Sequence, residues 1–136
     1  MIDCEAEVFS AVATALRAKF PQINLSNGER IPAIGNMPAA VGREMDNSTY
    51  IYTLSSSGQE NHAVIMWQWD VYSSKVSGRK AECKSILAVI DEQMFGMGFA
   101  RLGSAPLELP NEAPTVYRMV ARYRAVVSKD KILYRR

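Results

Sequence analysis

The chain has 136 residues, of which 48% are hydrophobic and 22% are charged, and its formal net charge is +2. These values are typical of a folded domain that buries its own core without a disulfide or metal staple, and they disfavour wholesale disorder. The near balance of 16 basic and 14 acidic residues does not indicate a protein that coats nucleic acid through charge alone. We therefore expect one domain over residues 1–136.

The first predicted element is a helix over residues 3–20. Apolar residues recur at helical spacing, acids lie in the first turn and bases in the last. Asp3 can cap the N-terminus of this helix, and Pro21 ends it.

Proline and glycine punctuate the next segment, including an Asn27-Gly28 pair that is typical of tight hairpins. A two-residue turn at that pair would oppose Leu25 with Arg30 and mix the two faces. We therefore expect a long irregular or hairpin excursion over residues 21–48, of a kind that is usually functional or ordered by a partner.

Two strands, which we expect to pair in an antiparallel fashion, are predicted next at residues 49–54 and 62–72. In the second, Trp67 and Trp69 share a face with Ile65 and Val71. The two tryptophans would bury much apolar area either in the core or against another subunit, and their apolar neighbours favour the core.

A second helix is predicted from a Ser77 cap to about residue 95, followed by Gly96 and Gly98. A short strand around residues 100–109 and a long alternating strand at 115–127 complete the pattern. The elements predict an α+β fold, with a mainly antiparallel sheet and both helices packed on one face.

The opposite face of the last strand carries Arg118, Arg122 and Arg124. This row of cations has three interpretations. It could pair with acids on a neighbouring subunit, line a channel that passes DNA, or be a solvated face, because sequence-independent DNA contact needs only positive charge.

Catalytic and cofactor chemistry finds little support. His62 is the single histidine and follows a polar turn, so a solvated residue is favoured over a catalytic or metal-binding one. Ser77 and Lys80 match an S-x-x-K spacing without its companion motifs. Cys4 and Cys83 have no metal-ligand spacing and are expected to be buried thiols in a reducing cytoplasm. We expect no enzyme, no cofactor, no metal and no membrane step.

The layout resembles the tail-terminator, or tail-completion, proteins of long-tailed bacteriophages. The resemblance rests on the short first helix, the loop-rich lead into Tyr50-Ile51-Tyr52, and residues 64–72, 81–91 and 117–123. It covers nearly the whole chain but consists of patterns rather than one signature motif.

The resemblance implies a homo-oligomeric ring, usually a hexamer, that caps the tail tube at the neck of the virion after assembly in the host cytoplasm. Its partners would be the tail-tube protein and the head connector or stopper, and DNA would pass non-specifically through the lumen. Two alternatives stay open. One is another neck component, such as a stopper or head-completion protein, and the other is a small cytoplasmic enzyme or binding domain with a pocket at His62 or Ser77.

Overall fold

The elements form an α+β fold in which two helices lie on one face of a mainly antiparallel sheet, as predicted. The computed structural model describes residues 1–28, 38–50, 62–75, 77–108, 117–128 and 133–134, and of 103–108 and 133–134 only the backbone. In chain order the elements are α1 (Glu5–Lys19), β1 (Asn24–Ser26), β2 (Ala39–Thr49), β3 (His62–Ser73), α2 (Arg79–Gly96), β4 (Ala100–Glu108), β5 (Tyr117–Ser128) and β6 (Leu133–Tyr134). The strand order is β1-β2-β3-β5-β4, and β6 pairs with β5.

Helix α1 lies inside the predicted range and buries the expected stripe of Val8, Val12 and Leu16. Its N-cap is Cys4 rather than Asp3, because the helix starts one residue later than the sequence pattern indicates. Asp3 still contributes, since its carboxylate accepts a hydrogen bond from the backbone N–H of Glu5 at 3.2 Å.

Helix α2 buries its predicted apolar stripe, but the prediction of Ser77 as its cap is wrong. The N-cap is Gly78, whose φ of 80° is left-handed and which offers no side-chain cap. At the other end, the backbone N–H of Phe99 donates to Met94 O at 2.9 Å and that of Gly98 to Phe95 O at 2.9 Å. With Gly98 at a φ of 97°, this is a Schellman ending.

The prediction of an irregular excursion over residues 21–48 is wrong for part of its length. It contains β1 and most of β2, and these strands pair in parallel, so Asn27-Gly28 does not close a two-residue hairpin between them. Strand β2 then pairs with β3 in an antiparallel ladder from Ala39 opposite Tyr72 to Thr49 opposite Ala63. Most of the strand predicted at residues 49–54 lies outside the described residues.

Strands β3 and β5 form the centre of the sheet, and both alternate as predicted. They are in register from His62 opposite Ser128 to Ser73 opposite Tyr117. Trp67 and Trp69 are fully buried in the core of the chain, which excludes the alternative that they face another subunit. Trp69 stacks on Phe9 of α1, with ring centroids 5.8 Å apart and an interplanar angle of 14°.

The two helices therefore cover one face of the sheet. The register of the strands decides which residues lie together on the opposite face. Directly opposed residues in an antiparallel pair point to the same side of the sheet. Arg43 of β2 is opposite Gln68 of β3, and Gln68 is in turn opposite Arg122 of β5. We call the face turned away from the helices the arginine face; its polar members on these three strands include Arg43, Gln68, Asp70, Tyr72, Arg118, Arg122 and Arg124.

Candidate interaction surface

A buried carboxylate lies at the centre of the arginine face. The Asp70 side chain is 3% exposed, and Arg118 Nη2 donates to its Oδ2 at 2.7 Å. Its other oxygen, Oδ1, accepts a hydrogen bond from Gln68 Nε2 at 2.7 Å. A second guanidinium, that of Arg43, lies 3.9 Å from Oδ2. Both carboxylate oxygens are thus bonded, which offsets the desolvation of a charge in this position.

The network continues along β5 through an amide. Gln68 Oε1 accepts a hydrogen bond from Arg122 Nε at 2.9 Å, so Gln68 links Asp70 to Arg122. The Arg122 side chain is exposed, and its two terminal Nη groups have no partner among the described residues. The guanidinium of Arg122 is therefore held through Nε, and its two Nη groups face solvent.

Tyr72 packs beside this network. The guanidinium of Arg118 lies 5.7 Å from the centroid of the Tyr72 ring, a cation–π distance. Burial first, and then the nearby Asp70 carboxylate, raise the pKa of Tyr72 above its ordinary value, so its hydroxyl stays neutral at physiological pH.

Two of the three arginines in the predicted row bind partners within the chain. Arg118 pairs with Asp70 and Arg122 bonds Gln68. The half-buried Arg124 makes no hydrogen bond or ion pair with the described part of the chain, and it lies between Met66 and Ala100 of the neighbouring strands. Sequence reasoning missed Arg43 as a member of this surface and missed the pairing of Asp70 with Arg118, because both depend on the strand register.

The composition of this surface is typical of a contact with another protein. Arginine, tyrosine and methionine are enriched at protein interfaces and lysine is depleted. The face carries four arginines together with Tyr72 and Met66, whereas the four lysines with described side chains lie elsewhere and are exposed. Those lysines are Lys19, Lys75, Lys80 and Lys84.

The residues considered for catalysis do not come together. His62 begins β3, which is about 36 Å long at 3.3 Å per residue, and Ser77 lies beyond the far end of this strand. Two shallow clefts that are lined by described residues lie elsewhere. One of about 380 Å³ lies between α2 and β4 and includes Asp91, which accepts hydrogen bonds from Arg101 at 2.9 Å and Tyr123 at 3.1 Å. The other, of about 220 Å³, is lined by Pro38, Ser74, Lys75 and Glu82.

Within the described chain, no three or more His, Cys, Asp or Glu residues are grouped so as to hold a metal ion. Of the helices described, none is long and apolar enough to cross a membrane. No protein-family model matches the sequence, and no curated protein is significantly similar to it.

Proposed function

We propose that this chain is a structural protein of a long-tailed bacteriophage, a tail terminator that assembles into a ring, caps the tail tube and joins it to the head connector. The observation that carries the proposal is the arginine face, where Asp70 and Gln68 hold two guanidinium groups in place and the composition is typical of protein interfaces. The elements that carry the family resemblance, α1, β3, α2 and β5, supply most of the core, and two of them, β3 and β5, also present most of the arginine face.

A contact surface of this kind suits a protein whose task is assembly. Asp70 and Gln68 fix the positions of Arg118 and Arg122, so fewer side-chain rotamers are lost when a partner binds. Guanidinium groups bind carboxylates in a planar, bidentate geometry, which sets the angle between partners as well as their affinity. A closed ring requires such a fixed angle at every subunit contact.

The proposed ring would sit at the neck of the virion, between the tail-tube protein and the head connector or stopper. DNA passing through its lumen would need no base-specific contact, since backbone phosphates respond to positive charge alone. Assembly would take place in the host cytoplasm, and we expect neither catalysis nor a cofactor.

Negative-stain electron microscopy of the purified protein, with and without tail tubes, tests this proposal. We expect rings of uniform diameter, hexameric by light scattering, and caps at one end of each tube. Binding to the head connector with no affinity for tubes would replace the terminator by a stopper or head-completion protein. Monomers that bind neither tubes nor connector would refute the proposal.

A further inference from the structure

A cluster of carboxylates lies where the N-terminus of α1 meets the second half of β2. We call Asp3, Glu5, Glu44 and Asp46 the acidic corner. The side chain of Asn47 donates to the carbonyl of Ile2 at 2.6 Å and so ties the N-terminal residues to β2.

Among the described side chains, no lysine or arginine balances the charges of the acidic corner. Burial of the Glu44 carboxyl is the largest cause that raises its pKa, and the charges of Glu5, Asp3 and Asp46 raise it further. No lysine or arginine of the described chain forms an ion pair with any of the four carboxylates. Three of them, all except Glu44, are exposed to solvent.

The arginine face has the opposite imbalance. Arg122 bonds a neutral amide and Arg124 has no partner in the described chain, while Asp70 is shared between Arg118 and Arg43. Asp46 and Arg124 are both opposite Met66 on neighbouring strands, so the acidic corner borders the arginine face at Asp46, whose Cα lies about 10 Å from that of Arg124. The excess charges of the two surfaces are not satisfied by each other within one copy.

We infer that the acidic corner of one copy of this chain docks against the arginine face of the next copy. The inference rests on the proposed ring and names the two surfaces that meet in it. Because it belongs to the proposed ring, the contact is heterologous: each copy uses its acidic corner toward one neighbour and its arginine face toward the other, so an open chain of copies keeps one unused surface of each kind. Repetition of the contact adds further copies until a ring closes.

Electrostatic complementarity would determine which surfaces of the two copies bind each other. Wrongly placed like charges are strongly unfavourable across an interface, whereas complementary surfaces speed association and fix the register. Assembly should therefore weaken as the ionic strength rises, because exposed charges are screened over about 8 Å at physiological salt.

Charge reversal on each surface tests the inference. The variant Arg122→Glu/Arg124→Glu reverses the arginine face, and Glu5→Lys/Asp46→Lys reverses the acidic corner. We expect each to raise the protein concentration at half assembly by at least about a hundredfold, measured by light scattering after gel filtration. Lys80→Glu/Lys84→Glu on α2, with the same change in net charge as the first variant, should assemble like the wild type. Circular dichroism checks that every variant is folded.

Mixing the two reversed variants gives the decisive result. Each contact in an alternating ring then pairs an acidic with a basic surface, so an equimolar mixture should recover rings with an even number of subunits. One chain that carries both reversals should also assemble by itself.

Other outcomes overturn the inference. If both reversed variants form rings like the wild type, the surfaces do not meet, although the proposed ring stands. If the arginine variant keeps its rings but loses affinity for a 30-base-pair DNA duplex, the arginine face lines the channel instead. A dimer that grows no further overturns the heterologous contact, and a wild-type chain that stays monomeric with and without tail tubes overturns the inference and the proposed function together.

Discussion

Substitution of Gly42 by alanine should destabilise the protein through a single methyl group. Gly42 lies in β2 directly opposite Trp69, and an added Cβ would be 2.5 Å from Cη2 of the indole and 2.6 Å from Cζ2 and Cζ3. Carbon atoms in contact are about 3.5 to 4.0 Å apart, so the overlap is about 1 Å. Trp69 cannot easily move, because it is fully buried and packed between Phe9 and Trp67.

Overpacking of this kind lowers the free energy of unfolding by about 1 to 3 kcal/mol. Because the surroundings of Trp69 are rigid, we expect Gly42→Ala to cost about 3 kcal/mol, at the upper end of this range. For a domain of this size the midpoint of thermal unfolding should fall by about 10 °C. Urea unfolding followed by circular dichroism and tryptophan fluorescence measures the change, and the slope with denaturant should stay constant.

The chain provides a matched control in Gly96, the last residue of α2. A Cβ added there meets no atom within 4 Å. Gly96→Ala should therefore stabilise the protein by about 0.5 kcal/mol, since alanine restricts the unfolded chain and favours the helix. Introducing Gly42→Ala into a Trp69→Phe background, which removes the clashing ring atoms, should reduce its penalty. A change within about 0.5 kcal/mol for Gly42→Ala, or an equal penalty in both backgrounds, would contradict the proposed clash.

Three further predictions concern the charged and thiol groups. Cys4 and Cys83 are buried and burial raises the pKa of Cys83 to about 12, so a thiol reagent at pH 8 should modify neither in the native protein and both in 6 M guanidinium. The raised pKa of Glu44 means that the folded state binds the proton of this carboxyl more tightly than the unfolded state does, so its contribution to stability is present below pH 4.5 and is lost as the pH rises. The free energy of unfolding of Glu44→Gln relative to that of the wild type should therefore increase from pH 4 to pH 7. A difference that stays constant with pH would refute the assignment. Asp70→Asn removes the charge that Arg118 pairs with and should lower the free energy of unfolding by about 2 kcal/mol, which is less than the usual loss for a buried pair because Arg118 is 28% exposed. In an Arg118→Met background the loss should be smaller. Equal losses in both backgrounds would argue against the pair.

The sequence by itself determined the elements whose side-chain periodicity is complete. Helices α1 and α2 repeat their apolar residues at helical spacing, and β3 and β5 alternate over a dozen residues each. Such patterns reflect one buried face and need no knowledge of neighbours. The same alternation placed Trp67 and Trp69 together and set the three arginines of β5 on the opposite side.

Strand β2 could not be predicted in this way. Its residues from Ala39 to Thr49 include several types that are uncommon in strands, and a bulge between Glu44 and Asp46 interrupts its alternation. Ladder hydrogen bonds with β3 and the fit of Gly42 beneath Trp69 hold it in place, and both come from residues distant in the chain.

The arginine face depends on the same long-range register. The sequence places Asp70 on the polar side of β3 and the arginines on that of β5, but their contact requires β3 and β5 to pair with Asp70 opposite Val120. A shift by one residue would turn Arg118, Arg122 and Arg124 toward the core face. The sequence thus determined which residues are available for contact through local periodicity, and only the tertiary structure decided which of them meet, because strand register is fixed by packing across the whole sheet.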